Sequence, residues 1–386
     1  MSKRDFPAEE FDDRLARVRA AIAAAELDWL LVVHPVSIHW LTGSDAKSYQ
    51  AFQCLPVSAA PGPLVMFTRE SERAEFEDDA RIDELRGWGG PEPEDPVEAF
   101  ARRIVEPLGL ARARVGLEVP AYYLHPHHYV RLKDLLGPAL VAEPGNLVHH
   151  LKLVKSPREL DYIRRAGAIA DQAIGAFVEA AAPGVSELDL AATIYHALLS
   201  AGSGFPASTL NLVSGERSAF SHGPPTERRL RPGDPINVEV GAAYRRYTAT
   251  IGRQFSLGPP GPRLRQIHDV VRRACDACIA EIRAGVPAIR PHEAAKRVIA
   301  EAGLDRWRVH TSGYGIAPGF PPSWGEPLNM FGGSRDVLQA GMVVSIEPPV
   351  FIPEERIGAR IIDNVLVTET GAELLSRTPR ELIVID

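Results

Sequence analysis

Residues 233–255, GDPINVEVGAAYRRYTATIGRQF, read as a strand, a tight turn and a second strand. Ile236, Val238 and Val240 alternate with Asn237 and Glu239, and a period of two places the amide and the carboxylate on the face opposite the aliphatics. A carboxylate on the inner face of a strand is costly unless a cation or hydrogen-bond donors meet it. The partner of Glu239 is therefore what the rest of the chain must supply.

The 386 residues suffice for two domains or one large one with a sizeable core. With 45% hydrophobic and 24% charged residues, neither disorder nor membrane insertion is indicated. A formal net charge of -7 argues against nucleic acid as a partner, because phosphate contacts need clustered Lys and Arg. The start, MSKRDFPAEEFDDRL, lacks the apolar core of a signal peptide, and no run approaches the roughly 18 apolar residues of a membrane span. A cytoplasmic protein without a membrane partner is expected. Cys54, Cys275 and Cys278 are too few for a disulfide framework. Cys275 and Cys278 form a CxxC inside VVRRACDACIAEIRAG, whose apolar spacing is helical, so they are expected in a core rather than on zinc. For HPHH at 125–128, Pro126 and the lack of a nearby acidic partner favour a surface turn over a metal site.

Residues 8–25 have the pattern of an amphipathic helix leading into a buried strand, Trp29–Val33, and then a turn at Thr42, Gly43 and Ser44. Alternating strands and helices to about residue 150 suggest an α/β layer domain, with GGPEPEDP (89–96) as a loop. Ser156, Pro157 and Glu159 supply an N-cap, a first-turn proline and a capping-box glutamate, so a helix starts cleanly after Lys155. The expected domains are 1–155 and 156–386. Further helices are expected at 186–201, 261–284 and 291–303, and strands near 236–257, 342–351 and 360–368.

LKLVKSPRELDYIRRAG, SHGPP, the 233–255 stretch, GYGIA, GMVVSIEPPVF and ARIIDNVLVTETGAELL resemble, in order and spacing, the catalytic domain of the creatinase, Xaa-Pro aminopeptidase and prolidase family. The resemblance implies an α/β (α+β) chain: a creatinase-type N-terminal α/β domain followed by a pita-bread catalytic domain. It also implies a homodimer. Metallopeptidases of this family hold two divalent ions with two Asp, one His and two Glu, and carried over one at a time these positions fall on Glu239, Thr250, Tyr314, Glu347 and Ile362. Three of the five are thus Thr, Tyr and Ile, too few donors for a dinuclear site. No metal and no other cofactor is expected.

The same alternation puts Ser345 and Glu347 on one face of GMVVSIEP, and if the sheet pairs as in the family, Glu239 and Glu347 point into one cavity. A substrate amidinium or guanidinium would neutralise such a pair through charge-assisted bonds. That is the logic of the family's metal-free branch, which includes creatinase and ectoine hydrolase. GMVVSIEP resembles the first, while AAYRRY after Glu239 and GYGIAPGFPPSWGE resemble the second. Creatinase has a His where Ile362 stands, and ectoine hydrolase lacks the Glu347 equivalent.

His222, in SHGPP, matches a substrate-side histidine and, as an imidazole, is suited to pass a proton to a leaving nitrogen. His310 matches a second such histidine. Tyr314 has two readings, a donor to an oxyanion or a filler of the space a metal left. Trp324 either offers a flat face to a cation or packs in a loop. Arg360 either binds a substrate carboxylate or pairs with Glu347. Thr250 and Tyr247 are further substrate-binding candidates, although side chains at the 245–247 turn usually meet water. Trp40 and Lys47, with Tyr49, occupy a segment that in family dimers reaches the neighbouring subunit's site.

These residues point to a metal-independent hydrolase of a non-peptide C–N bond in a small cationic or cyclic, amidine- or guanidino-type substrate, with Glu239 or Glu347 as general base. The alternatives are a metal-dependent Xaa-Pro aminopeptidase, an inactive pita-bread binding protein, and a lyase on the same scaffold.

Overall fold

The structure, a computed structural model, describes residues 3–386. Contacts divide the chain into two units, Met1–Lys152 and Leu153–Asp386.

The first unit opens with the helix Ala8–Ala24, which buries Phe11, Val18 and Ile22 along one stripe. Its strands are β1 (Trp29–Val32), β2 (Leu55–Ser58), β3 (Val65–Arg69), β4 (Glu84–Trp88), β5 (Val115–Leu117) and β6 (Leu140–Ala142). Four form a sheet in the order β2-β1-β5-β6, with β1, β5 and β6 parallel, and β3 and β4 form a separate parallel pair. Leu31 enters one apolar cluster and Leu30 and Val32 another, so both faces of β1 are covered and the strand reads as a continuous apolar run. HPHH is the start of a helix rather than a turn: His125 caps Pro126–Leu136, its Nδ1 accepting from the His127 amide at 3.1 Å.

The second unit begins its long helix, Pro157–Ala180, with the capping box of Ser156 and Glu159 in place. Its strands are β7 (Asn211–Ser214), β8 (Pro235–Tyr244), β9 (Tyr247–Leu257), β10 (Gly313–Phe320), β11 (Ser323–Met330), β12 (Val343–Ile346), β13 (Val350–Ile352), β14 (Ile357–Ala359), β15 (Asp363–Val367), β16 (Ala372–Leu374) and β17 (Ile383–Ile385). The main sheet runs β16-β15-β12-β10-β9-β8-β7, with β11 paired to β10 and β17 to β9. Helices Pro157–Ala180 and Glu187–Ser200 contribute to one cluster with β7, β8 and β9, which receives Ile236, Val238, Val240, Ala249 and Ile251. Helices Pro262–Ala280 and Ile289–Glu301 contribute to a second with β11, β12 and β15, where Cys275 and Cys278 are fully buried. Both helix pairs thus cover the aliphatic faces, and the polar faces of β8, β9, β12 and β15 are left to build a site. No helix among the described residues is long and apolar enough to cross a membrane.

Candidate active site

On β8 and β9 the register pairs Asn237 with Gln254, Glu239 with Gly252 and Gly241 with Thr250, so these side chains share the face opposite the aliphatics. Gly241 and Gly252 are needed there for space. A Cβ on Gly241 would lie 2.6 Å from the indole of Trp324, and one on Gly252 would lie 2.6 Å from Ile362. An open cleft of about 370 Å³ is lined by Asn211, His222, Glu239, Tyr314, Trp324 and Glu326, among others.

Glu239 has its partner within the chain. Arg360 Nη1 donates to Glu239 Oε2, and Asn211, directly across the strand pair, donates to the same oxygen at 2.8 Å. Arg360 therefore does not pair with Glu347, and the substrate is not what neutralises Glu239. The guanidinium is fixed further by the carbonyl and hydroxyl of Ser221 and lies 5.2 Å from the Phe351 ring centroid.

Glu347 is 5% exposed and has no such cation. Among the described residues its one contact with a basic side chain is with His310, whose Nδ1 is 4.0 Å from Oε1. Burial, and after it the charge of Glu239, pushes the Glu347 carboxyl up to about 8; the Arg360 charge and the nearby Tyr314 and Ser345 hydroxyls oppose this. His310 is shifted the other way, its burial lowering its pKa, so the ring is neutral at pH 7. Its Nδ1 faces the Thr311 carbonyl at 3.1 Å, which places the proton there and leaves Nε2 as the basic nitrogen.

Tyr314 accepts a hydrogen bond from Trp324 Nε1 at 3.1 Å, which leaves its own proton for Glu347. Burial first, then the two glutamates, raises the phenol well above its usual range, so it remains a donor. Trp324 is not on a loop: it lies on β11, 4% exposed, with its indole against Gly241. His222 is exposed at the mouth of the cleft, and its ring centroid is 6.3 Å from that of His310.

Two predicted residues take other places. Tyr247 is fully buried and donates to Glu159 at 2.8 Å, because the alternation of β9 turns it toward the helix Pro157–Ala180 rather than the cleft. Trp40 is 1% exposed in an apolar cluster of the first unit, with the Arg14 guanidinium 5.1 Å from its ring, so its face is already covered. Lys47 is exposed on a short helical turn, Lys47–Gln50, of that unit.

Sequence reasoning missed Asn211, Glu187 and the pair Lys155–Glu326. The buried Glu187 carboxylate accepts from Ser214 and Thr226 (2.6–2.9 Å) and from Arg217, pinning the loop that carries Ser221 and His222. Lys155 and Glu326, both side chains at most 1% exposed, meet at 2.5 Å beneath the cleft. In the sequence, SHGPP and the end of GYGIAPGFPPSWGE pointed at this region without indicating these partners.

A pita-bread fold whose polar faces meet at two glutamates, two histidines and a tyrosine is the framework of a hydrolase. The chain belongs to metallopeptidase family M24: residues 161–369 match that family, and residues 14–154 match the creatinase/prolidase N-terminal domain. It is 34% identical to the probable dipeptidase PepE of Mycobacterium tuberculosis over 388 residues, covering 100% of this chain and 99% of that protein. It is 27% identical to the ectoine hydrolase of Halomonas elongata, covering 98% of each. The crystal structure of dipeptidase PepE from Mycobacterium ulcerans superposes with a TM-score of 0.86 at 30% identity, covering 98% of this chain and 99% of that one.

The metal pair that the family name implies does not fit the residues present. Among the described residues no three His, Cys, Asp or Glu side chains could hold an ion together. Of the two glutamates, Glu239 already carries the Arg360 guanidinium on one oxygen.

Proposed function

We propose that the enzyme hydrolyses a C–N bond other than a peptide bond in a small cationic substrate of amidine or guanidino type, without a metal pair. One observation carries this reading. Glu239 is matched by Arg360 and Glu326 by Lys155, whereas Glu347 is a buried carboxyl held protonated for want of a cation. A monocationic substrate supplies that charge and ionises Glu347 on binding.

In the step that follows, water gives a proton to Glu347 while its oxygen attacks the amidinium carbon. Tyr314 and Oε1 of Glu239 hold the substrate nitrogens, both donors on Glu239 falling on Oε2. The C–N bond then breaks and His222 protonates the departing nitrogen. Ectoine, creatine and hydantoin-type compounds are the probes. Turnover of one of them that persists in chelator and is lost in Glu347→Gln supports the reading; activity confined to peptides overturns it.

The second reading, a dipeptidase, is favoured by the whole-length similarity to PepE. Hydrolysis of Xaa-Pro dipeptides that depends on added manganese or cobalt would establish it in place of the first.

A further inference from the structure

Behind the cleft, β12 and β15 pair Ser345 with Asn364, and Ser345 and Glu347 share a face. Asn364 also reaches β9: its Oδ1 accepts the Thr250 amide at 2.6 Å. One rung along, Gly252 and Ile362 exchange both backbone hydrogen bonds, and the Ile362 side chain fills the space over the glycine. Thr250 and Asn364 thus meet one rung from Ile362, with Glu347 two residues beyond Ser345 on the same face, all at most 5% exposed.

Four polar atoms there are unused among the described residues, Thr250 Oγ1, Asn364 Nδ2, Ser345 Oγ and Glu347 Oε1. Among the described residues nothing bonds Thr250 Oγ1 or Asn364 Nδ2, although both atoms are buried. Leaving each so costs about 1–3 kcal/mol, so the pair points to an occupant. The chemistry of the two atoms says which. Because the Thr250 amide claims Oδ1, the amide of Asn364 presents its NH2, a donor, and a cation would meet hydrogens instead of lone pairs. A water answers both, accepting from Asn364 Nδ2, donating one hydrogen to Thr250 Oγ1 and the other to a carboxyl oxygen of Glu347.

We propose that Thr250 and Asn364 form a cradle that holds the attacking water against Glu347, which makes Glu347, not Glu239, the general base. The inference rests on the hydrolytic reading above. It assigns two water-positioning residues, one of them at a position where the family's metallopeptidases carry a ligand. Oriented by the two, the water directs its second lone pair toward the cleft as its proton passes to Glu347, and no other reactant is needed.

The test pairs crystallography of the full chain with kinetics. At a resolution that defines single waters, the wild type is expected to show one water within hydrogen-bond distance of Thr250 Oγ1 and Asn364 Nδ2. Thr250→Val keeps the shape of the side chain and is expected to lose that water. With ectoine as the amidine probe, kcat should fall about tenfold with KM within about twofold, the loss of one hydrogen bond to the reacting atom. Thr250→Ser, which keeps the hydroxyl, should restore the rate. A wild-type cradle closed on itself without a water, or wild-type turnover in Thr250→Val, overturns the proposal. The two readings fail separately: a cradle water in an enzyme that proves to be a manganese-dependent peptidase removes the substrate assignment and leaves the cradle, while turnover of ectoine with no water there removes only the cradle.

Discussion

Glu347 and Arg360 carry opposite consequences for stability. The Glu347 carboxyl sits at about 8 in the fold against an ordinary 4.5, so between those values the folded chain holds one more proton than the unfolded one. Its contribution is fully present below pH 4.5 and is lost as pH rises through about 8. Glu347→Gln removes that dependence. Its melting temperature should match the wild type near pH 4.5 and exceed it above pH 8, as thermal scans across the window would show. If the substrate is a cation as proposed, it must expel the same proton, so kcat/KM should rise with pH and level off above about 8. Arg360→Ala, by contrast, strands a buried carboxylate and should cost about 3–5 kcal/mol in urea unfolding, partly recovered by adding Glu239→Gln. Glu347→Gln and His222→Ala should each cut turnover at least about a hundredfold while the fold survives, about 2.7 kcal/mol of transition-state stabilisation apiece.

At the scale of elements, the segment between β7 and β8 depends on one side chain at the start of a helix. Glu187 gathers Ser214, Arg217 and Thr226, and with them the loop that carries His222 to the cleft. Glu187→Ala should loosen that loop, seen as faster limited proteolysis within 214–226, and lower turnover about tenfold by misplacing the histidine. Elements governed by local signals were legible in the sequence. The Ser156 and Glu159 capping box and the alternation of Ile236, Val238 and Val240 each specify their geometry within a few residues. The hairpin of β10 and β11 was not, because glycines and prolines such as Gly313, Gly315 and Pro318 break its period and its turn is Pro321–Pro322.

For the whole molecule, the fold was legible in advance; which charge answers which was not. Glu239 and Arg360 stand 121 residues apart, and nothing near either one signals the other. Asn211 and Asn364 likewise act across strand pairs, so their roles follow only from register. The replacements at Thr250, Tyr314 and Ile362, visible in the sequence, acquire a physical meaning beside the Arg360 guanidinium and the unused groups of Thr250 and Asn364. On the reading proposed above, protein cations, a protonated glutamate and a held water would take the place of a metal pair. The most direct check is metal content per chain, by elemental mass spectrometry on protein purified without chelator and then soaked with manganese, zinc or iron. No ion retained at stoichiometric level is the predicted result; two tightly held ions per chain would contradict the account.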